Sequence, residues 1–580
     1  MTATGGSPQR ADADAPAQPV FPGAPPFSML ERFGDQIALI QGAETVSYKA
    51  LAREADRIAK LVGETPALTF LRCTNTFESI AAYLGCLRGG HPVVLLSHDA
   101  DIEPLRTQYS PSAVISGGAD LKVERGPSNN VKLHPDLRVL LTTSGSTGSP
   151  KLVRLSQANI QSNARSIADF LGLTPNDRAL TSLQFNYSYG LSVLNSHFEV
   201  GASVVLTEAS VLDDEFWAQL EASKATSFAG VPYTYEMLHK SGALERKHGL
   251  RYLTQAGGKL SPELVLYFSK LGAARGWDFF VMYGQTEAAP RMGYLPPRLA
   301  QHHPDAIGVA IPGGRFEIRD EDQRPIVDPN RPGELVYSGP NVMMGYATSA
   351  AELSHGQGPL ELRTGDIAVW NEEKLVKIVG RAARFIKLFG LRLSLDDIEQ
   401  KARAIAASAA ATGDDRGVVV AIEKQDKGQR ARLASRLPVD LKIPQQAVEV
   451  VVIDQLPRLA NGKVNYRSIL QSRRGGQAPG GSTGGFSIGE FVSRFALQWK
   501  REVLHVLGIG GTSWRSVADI YATVLNTEVE PGHTFSDLSG DSLTYVQISL
   551  ALEEYLGALP EDWHTMKIKD LEGMKASGPL

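Results

Sequence analysis

The 580-residue sequence contains only two cysteines, Cys73 and Cys86. Two cysteines cannot build a disulfide framework, and their spacing matches neither a Cys-x-x-Cys motif nor a set of metal ligands, so we expect a reducing, cytoplasmic compartment. An excess of charge is also absent, because the net charge is only −4. Binding to nucleic acid or to a membrane surface usually needs a basic excess, so we expect neither partner.

Long hydrophobic runs are missing as well. No stretch approaches the ~20 consecutive apolar residues of a membrane helix. Residues 1–26 lack the basic start and apolar run of a secretory signal and are expected to be a disordered lead-in. Hydrophobic residues nevertheless make up 43% of the chain. That share is typical of globular proteins, and the length predicts two to four domains.

Short apolar runs alternate with helical patterns, which predicts an α/β fold. We expect a large domain of packed sheets and helices over residues 27–380 and a small, mobile α/β domain over residues 381–470. Strands are predicted at Leu137–Thr142, Ser203–Leu206, Gly333–Ser338, 375–380, Gly417–Glu423 and 448–454.

The C-terminal part has a different character. Residues 471–486 are dominated by Gly, Pro and Ser, which predicts a flexible linker. After Ser542, the apolar residues Leu543, Val546 and Leu550 follow helical spacing. Residues 487–580 are therefore predicted to form a separate helical-bundle domain.

A loop rich in Gly, Ser and Thr follows the predicted strand at Leu137–Thr142. Its glycines allow backbone N–H groups to approach an anion, and Lys151 at its end adds positive charge, so the pattern predicts phosphate binding. It is not a Walker loop, because Lys151 lies three residues after Gly148. A plain polar linker is the alternative.

This segment, Ser144 to Lys151, resembles the phosphate loop of adenylate-forming enzymes, the superfamily of acyl-CoA synthetases and nonribosomal-peptide adenylation domains. Further matches follow in the family's order over about residues 30–470. They are Gln255 to Leu260, Tyr283 to Glu287, Gly333 to Leu335, Gly345-Tyr346, Thr364 to Asp366, Gly380-Arg381 and Asn461 to Lys463. The resemblance implies ATP and Mg²⁺ as cofactors.

The same resemblance implies roles for individual residues. Lys463, Thr286 and Glu287 would be catalytic, and Glu287 would hold Mg²⁺. Adenylation joins two anions, so groups that neutralise charge suit the reaction. The nucleotide would be bound by Thr143, Ser144, Gly145, Ser146, Thr147, Gly148, Lys151, Gly257, Gly258, Lys259, Tyr283, Gly284, Gln285, Asp366 and Arg381.

Several of these residues have plainer interpretations when taken alone. Asp366 suits the ribose hydroxyls as an acceptor but also fits a turn. Tyr283 suits adenine stacking but also fits a protein core, and Lys463 fits an exposed turn. In the resembling family a hinge follows Gly380-Arg381, and its usual Asp or Lys falls here at Ala383, after Ala382. The nearby Arg384 is interpreted as a solvated surface cation.

The segment from Phe535 to Leu543 resembles the phosphopantetheine site of carrier proteins. This implies that a phosphopantetheinyl transferase attaches 4'-phosphopantetheine to Ser542. Gly540 to Leu543 also spells the motif of a hydrolase family, but too few residues follow Ser542 to complete a catalytic triad. An unmodified serine beside a helix start is the remaining alternative.

The acid pocket is assigned by the same resemblance. Relatives that activate α-amino acids usually carry Asp where Gly190 aligns, so we expect an acid without an α-ammonium group. Arg291 either binds a second carboxylate or faces solvent. The predicted pocket residues are Tyr187, Gly190, Val231, Thr254, Ala256, Met282, Pro290 and Arg291.

Together these patterns predict an enzyme that activates a small carboxylic acid with ATP and loads it onto its own carrier domain as a thioester. No condensation or thioesterase-like region is present, so a downstream acyl-accepting enzyme is expected to take the product. The alternatives are an acyl- or aryl-CoA ligase and a non-catalytic carrier or scaffold module.

Overall fold

The structure is a computed structural model, and its chain forms two compact units, Met1–Arg474 and Gly475–Leu580. The predicted boundary between residues 380 and 381 lies inside the first unit. The described residues are 26–117, 121–126, 131–142, 151–246, 248–356, 358–381, 384–388, 391–414, 417–441, 443–458, 464–466, 468–469, 514–525, 527, 529–538, 548, 551–552, 555–556, 560 and 563–575.

Twenty-five strands lie within these residues. They are β1 (Ile37–Gln41), β2 (Glu44–Ser47), β3 (Thr69–Cys73), β4 (Val93–Ser97), β5 (Ala113–Ser116), β6 (Lys122–Arg125), β7 (Leu137–Thr142), β8 (Leu152–Ser156), β9 (Arg178–Leu180), β10 (Ser203–Leu206), β11 (Ser227–Gly230), β12 (Tyr252–Gln255), β13 (Asp278–Gly284), β14 (Arg291–Leu295), β15 (Val309–Ala310), β16 (Arg315–Arg319), β17 (Gly333–Ser338), β18 (Tyr346–Ala347), β19 (Glu361–Trp370), β20 (Val376–Arg381), β21 (Phe385–Leu388), β22 (Leu391–Ser394), β23 (Ala410–Asp414), β24 (Gly417–Glu423) and β25 (Val448–Ile453).

The α-helices in the same ranges are α1 (Tyr48–Val62), α2 (Phe77–Arg88), α3 (Glu103–Tyr109), α4 (Gln157–Phe170), α5 (Ser188–Val200), α6 (Asp214–Ser223), α7 (Pro232–Ser241), α8 (Pro262–Arg275), α9 (Pro297–Ala300), α10 (Leu395–Arg403), α11 (Arg430–Leu441), α12 (Val517–Leu525) and α13 (Ile568–Lys575). Short 3₁₀ helices cover Leu30–Phe33, Ala243–Glu245, Thr286–Ala288, Ala350–Ser354, Lys424–Gln429, Gln445–Ala447, Ser536–Leu538 and Trp563–Thr565.

Two large sheets form the body of the first unit. The seven-stranded sheet has the order β18-β8-β7-β4-β3-β5-β6, and the nine-stranded sheet has the order β15-β14-β13-β12-β11-β9-β10-β1-β2. Helices α1, α2 and α5 pack in one apolar core with strands of both sheets, including Leu39, Leu95 and Val139. The central strands are buried on both faces, which explains why β7 and β10 appear in the sequence as continuous apolar runs.

Parallel strands bring four loops to one edge of the nine-stranded sheet. Strands β9, β11, β12 and β13 are neighbours and run parallel. Gly230 at the end of β11 pairs with Gln255 at the end of β12, and Gln255 pairs with Val281 in β13. Ligands of open α/β sheets bind beyond the carboxyl ends of such strands, so the candidate site is expected at this edge.

A four-stranded antiparallel sheet, β16-β17-β19-β20, and the small α/β region that follows complete the first unit. The small region has the hairpin β21-β22 and the sheet β23-β24-β25, against which α10 and α11 pack. The predicted strands at Leu137–Thr142, Ser203–Leu206, Gly333–Ser338 and Gly417–Glu423 are confirmed. Those predicted at 375–380 and 448–454 are confirmed to within one residue at each end.

Helix starts follow from local sequence. Ser47, Thr76 and Ser261 each accept a backbone N–H at the starts of α1, α2 and α8. Ser156 and Asn159 cap each other's backbone at the start of α4, which satisfies N–H groups that have no partner within the helix. The strand-to-helix step at β8 and α4 is therefore fixed by two polar residues three positions apart.

The second unit has its own small core. Val517, Ile520 and Tyr521 of α12 pack with Trp563 and with Leu571 of α13. A helical-bundle domain was predicted over residues 487–580, and α12 and α13 are helices within that range, whereas the residues on which the helical spacing was based, Leu543, Val546 and Leu550, lie outside the described residues. The predicted linker, residues 471–486, and the predicted phosphopantetheine residue, Ser542, lie outside the described residues.

Candidate active site

The loop after β12 carries the predicted nucleotide residues Gly257, Gly258 and Lys259. Gly257 has a φ of +86°, and a Cβ atom there would lie 2.5 Å from the Tyr187 hydroxyl and 3.3 Å from Val231. Gln255 Nε2 donates a hydrogen bond to the Gly258 carbonyl at 2.8 Å, which closes the loop. The predicted nucleotide loop therefore packs directly against two predicted acid-pocket residues, and only glycine allows that approach.

Asp366 lies buried in β19 at the centre of a hydrogen-bonded cluster. Its carboxylate accepts from the Tyr283 hydroxyl, from Gln285 Nε2 at 3.1 Å and from Arg381 Nε at 2.8 Å. A carboxylate offers about four lone-pair directions, so these donors leave room for about one more. Two ribose hydroxyls can bind Asp366 only if one of the present donors moves away.

Tyr283 was predicted to stack on adenine. Its ring packs against Phe316, with the ring centroids 6.2 Å apart, and its hydroxyl donates to Asp366. Burial, reinforced by the Asp366 carboxylate, raises the pKa of Tyr283 well above its usual value. The hydroxyl therefore stays protonated and serves to orient Asp366.

Glu287 and Lys151 meet at Tyr346. The Tyr346 hydroxyl donates to Glu287 Oε1 at 2.7 Å, and Lys151 Nζ lies 4.0 Å from the centre of the Tyr346 ring. Lys151 ends the predicted phosphate loop, so this contact brings the predicted Mg²⁺ ligand close to the predicted phosphate-binding cation. Magnesium usually takes one or two carboxylates and completes its shell with phosphate oxygens and water. A single carboxylate beside a phosphate-binding cation fits that preference.

The position of Tyr346 is fixed by a buried arginine on β8. The guanidinium of Arg154 donates to the carbonyls of Met344 at 2.5 Å, Tyr346 at 3.2 Å and His355 at 2.6 Å. Arg154 is 4% exposed, and burial lowers the pKa of its guanidinium. Three backbone acceptors compensate this cation, which is the usual requirement for burying a charged group.

Thr286 connects the nucleotide side to the acid-pocket helix. Its hydroxyl lies 3.2 Å from the hydroxyl of Ser188, the first residue of α5. Its neighbours on either side reach the two clusters described above, because Gln285 contacts Asp366 and Glu287 contacts Tyr346. Three consecutive residues thus join the predicted ribose, acid and metal subsites.

A small cavity of about 20 Å³, lined mostly by apolar atoms, lies between α4, α5 and the nine-stranded sheet. Three predicted pocket residues, Thr254, Met282 and Arg291, line it. Arg291 is 2% exposed, so the alternative that it faces solvent is wrong. Two other predicted pocket residues, Pro290 and Ala256, are also buried, but neither lines the cavity.

Gly190 does not open into this cavity. A Cβ atom at Gly190 would lie 2.4 Å from the Gln184 carbonyl oxygen, so the position requires glycine for packing. Sequence alignment placed Gly190 where some relatives carry a pocket aspartate. An aspartate here would first collide with the backbone before α5.

The structure corrects the prediction that Arg384 is exposed. It was interpreted as a solvated cation, but its side chain is 15% exposed. Its guanidinium donates to Asp396 at 2.5 Å and to the Ala411 carbonyl at 3.0 Å, and it lies 4.0 Å from the centre of the Tyr466 ring. Arg384 therefore anchors the start of the small region, next to Ala382 and Ala383, which are outside the described residues.

Arg458, five residues before Lys463, contacts the large region. Arg458 and Val464 form an antiparallel bridge, and the Arg458 guanidinium lies 4.4 Å from the centre of the Tyr233 ring. Tyr233 belongs to α7, which begins just after Val231. Lys463 itself lies outside the described residues, as do Thr143, Ser144, Gly145, Ser146, Thr147 and Gly148.

Residues 112–347 match the family described as AMP-binding enzyme. An L-proline–[L-prolyl-carrier protein] ligase of Streptomyces coelicolor is 28% identical over 533 residues, which cover 80% of this chain and 95% of that protein. The family model and these relatives support an AMP-binding, adenylate-forming enzyme that acts as an acid–thiol ligase.

Two further similar proteins show how far the properties of relatives can be applied to this chain. A PKS-NRPS hybrid synthetase of Aspergillus niger is 27% identical over 499 residues, and the matched part is only 26% of that protein. The O-succinylbenzoate coenzyme A synthetase of Bacillus subtilis in complex with AMP has a TM-score of 0.63 at 21% identity, covering 79% of this chain and all of that one. That likeness shows the fold alone.

Sequence reasoning missed three residues at the site of this adenylate-forming enzyme. Tyr346 was part of a matched segment but received no role, although its hydroxyl bonds Glu287. Arg154 and Ser188 were not singled out at all. The only available signals were a charged residue inside the apolar strand β8 and a serine at the start of α5.

The described ranges contain neither a membrane-spanning helix nor a cluster of metal-binding side chains. No helix there is both long and apolar enough to cross a membrane. No group of three or more His, Cys, Asp or Glu side chains is arranged to hold a metal ion in those ranges.

Proposed function

We propose that this enzyme activates a carboxylic acid with ATP and transfers the acyl group to a phosphopantetheine thiol on its own Ser542. The observation that carries the first step is the junction at Gln285, Thr286 and Glu287. These three consecutive residues contact Asp366, Ser188 and Tyr346, respectively. They supply adjacent contacts for ribose, for the acid and for the triphosphate.

In the first step the acid's carboxylate attacks the α-phosphorus of ATP, and pyrophosphate leaves. Thr286 would donate to an α-phosphate oxygen, and Lys151 would neutralise charge on the triphosphate. Glu287 would hold Mg²⁺, which neutralises the phosphate oxygens when bound. Lys463 would bridge the carboxylate and the α-phosphate, where negative charge builds in the transition state.

In the second step the thiol attacks the acyl carbonyl and AMP leaves. The motif around Ser542 and the Gly-rich linker at 471–486 support a carrier in the same chain. Tethering raises the effective concentration of the thiol near the adenylate. The carrier-protein ligase among the relatives supports this acceptor, and free CoA is the alternative.

One paired experiment tests both steps. Lys463→Ala is expected to lower acid-dependent pyrophosphate release roughly 100-fold or more, because it removes a charge that acts in the transition state. Lys270→Ala, an exposed lysine of α8, is the matched control. Ser542→Ala should keep pyrophosphate exchange but lose the acyl mass that intact-protein mass spectrometry detects on the phosphopantetheinylated parent.

Two outcomes would contradict the proposal. Unchanged pyrophosphate release by Lys463→Ala would refute the adenylation mechanism. Full turnover of Ser542→Ala with CoA, together with no acyl mass on the parent chain, would replace the carrier by CoA as the acceptor. The relatives name different acids, L-proline and O-succinylbenzoate, so they do not choose the substrate.

A further inference from the structure

Arg291, the first residue of β14, has a backbone that three hydrogen bonds hold in place. Its N–H donates to Asn163 Oδ1 at 3.2 Å, and its carbonyl accepts from Asn163 Nδ2 at 2.9 Å and Asn341 Nδ2 at 2.8 Å. The side chain extends to the cavity beside α5, where the guanidinium lies 4.8 Å from the centre of the Tyr189 ring. The hydrogen bonds therefore fix the position from which this side chain extends.

The guanidinium of Arg291 has no counter-ion among the described residues. Its Nε is buried and has no hydrogen-bond partner, and no ion pair between described residues includes Arg291. Arg154 is similarly buried but donates to three backbone carbonyls. Burial lowers the pKa of the Arg291 guanidinium, and only Tyr189 and Tyr187 oppose this effect. Burying an uncompensated cation is costly, so a missing anion is expected to bind here.

Among the residues that line the cavity, Arg291 is the charged partner for this anion. His197 also lines the cavity, but burial lowers its pKa to about 4, so its imidazole is neutral near pH 7. The Tyr189 hydroxyl is already engaged by the Thr254 carbonyl and hydroxyl at 2.9 and 2.8 Å. Among the lining residues, Arg291 is thus the cationic donor with unused hydrogen-bonding capacity.

The position of this cavity separates it from the reacting end of the acid. None of Lys151, Thr286 and Glu287 lines it. The carboxylate that attacks ATP must lie near those residues, so an anion at Arg291 belongs to the other end of the acid. A planar guanidinium matches a carboxylate with two parallel hydrogen bonds. An α-ammonium group would be repelled from the same place.

We propose that the acid activated by this enzyme is a dicarboxylate, and that Arg291 binds the carboxylate that does not react. This inference rests on the proposed adenylation function and extends it to the class of substrate. Arg291 would then determine specificity: it accepts a second negative charge and disfavours acids that leave the guanidinium unpaired.

Matched pairs of acids test the proposal in the full-length enzyme. Acid-dependent ATP–pyrophosphate exchange is measured with butanoate and succinate, pentanoate and glutarate, and benzoate and isophthalate. The parent should prefer the diacid of at least one pair by about tenfold or more in kcat/KM, as expected for a charge-assisted bidentate contact. Arg291→Met should remove that preference, and Arg291→Lys should keep part of it.

A binding readout separates specificity from turnover. The preferred diacid should raise the melting temperature of the parent but not that of Arg291→Met. Without any acid, Arg291→Met should melt no lower than the parent, because it removes an unpaired buried charge. Arg154→Met is the contrasting control and should melt lower, since three carbonyls lose their donor.

The possible failures are distinct. Equal use of both members of every pair by the parent would overturn the dicarboxylate proposal. So would a diacid preference that survives in Arg291→Met. Loss of monoacid and diacid turnover alike in Arg291→Met would assign Arg291 to the reacting carboxylate instead. If the parent exchanged pyrophosphate with no acid in an extended panel, the adenylation function would fail first.

Discussion

At the scale of single residues, His197 on α5 is enclosed beside the cavity. Its Nδ1 lies 2.8 Å from the Val193 carbonyl, and its Nε2 lies 3.3 Å from the Tyr252 hydroxyl. The carbonyl can only accept, so Nδ1 carries the proton and Nε2 accepts from Tyr252. Burial lowers the pKa of His197 from 6.5 to about 4, against opposing effects of the Val193 carbonyl and Asp177, while Arg251 lowers it further.

This buried histidine predicts a pH dependence of stability. Between pH 6.5 and about 4 the unfolded chain binds a proton that the folded chain excludes. The stabilising contribution is therefore complete above pH 6.5 and is lost on acidification by about 1.4 kcal/mol per pH unit. His197→Gln should flatten the decrease in the urea midpoint between pH 7 and 5. His302→Gln, at an exposed histidine, is the control, and equal slopes in all three proteins would contradict the assignment.

The residue scale also shows where sequence reasoning stops. Asp366 and Glu287 could be chosen because each stands in a recognisable motif. The burial of Arg291 and Arg384 could not be predicted, because a buried arginine and an exposed arginine look the same in the sequence. The difference depends on distant partners: Asp396 and Ala411 compensate Arg384, whereas no described residue compensates Arg291.

At the scale of elements, the first turn of α5 packs tightly on the segment before it. Gly190 lies one turn inside the helix, where a Cβ would meet the Gln184 carbonyl oxygen at 2.4 Å. Gly190→Ala should therefore cost about 1–3 kcal/mol of stability, as overpacking usually does. Thermal unfolding measures this, and Gly249→Ala is the matched control because nothing lies within 4 Å of a Cβ there.

The same helix start tests the interpretation of amino-acid specificity. Gly190→Asp should be destabilised like Gly190→Ala and should not activate any α-amino acid in the exchange assay. A stable Gly190→Asp variant that gained amino-acid activation would show that this position does reach the acid. In that case the packing against Gln184 would have to yield.

Strands were the elements that sequence predicted best. β7, β10, β17 and β24 are short apolar runs bounded by polar or glycine residues, and burial on both faces preserves that pattern. Short strands such as β15 and β18 have two residues each, so they lack any periodicity to detect. They exist because neighbouring strands offer unpaired backbone groups at the sheet edges.

At the scale of the whole first unit, the cation–π contact between Arg458 and Tyr233 joins the small region to α7. Tyr233 is 40% exposed, and a cation–π contact at such a site contributes about 0.5–1 kcal/mol. Arg458 and Val464 lie on either side of Lys463 in the sequence and are paired. The contact with Tyr233 therefore helps to hold both ends of the segment that contains Lys463 next to α7.

Tyr233→Ala should slow acid-dependent pyrophosphate exchange about two- to fivefold, since the contact favours one arrangement of the two regions. Single-turnover transfer from a preformed adenylate to thiol should change less, because that step does not need Lys463. Tyr233→Phe keeps the ring and should behave like the parent. An equal loss in both half-reactions, or in the Phe variant, would mean that the ring acts in some other way.

The φ of +86° at Gly257 has a wider consequence. Because that glycine lies against Tyr187 and Val231, one residue forms the partition between the predicted nucleotide loop and two predicted acid-pocket residues. Natural or laboratory divergence of acid preference at that partition would disturb ATP affinity at the same time. Met282 and Arg291 line the cavity, which none of Gly257, Tyr187 and Val231 lines, so we expect substitutions there to alter acid preference with less effect on ATP affinity.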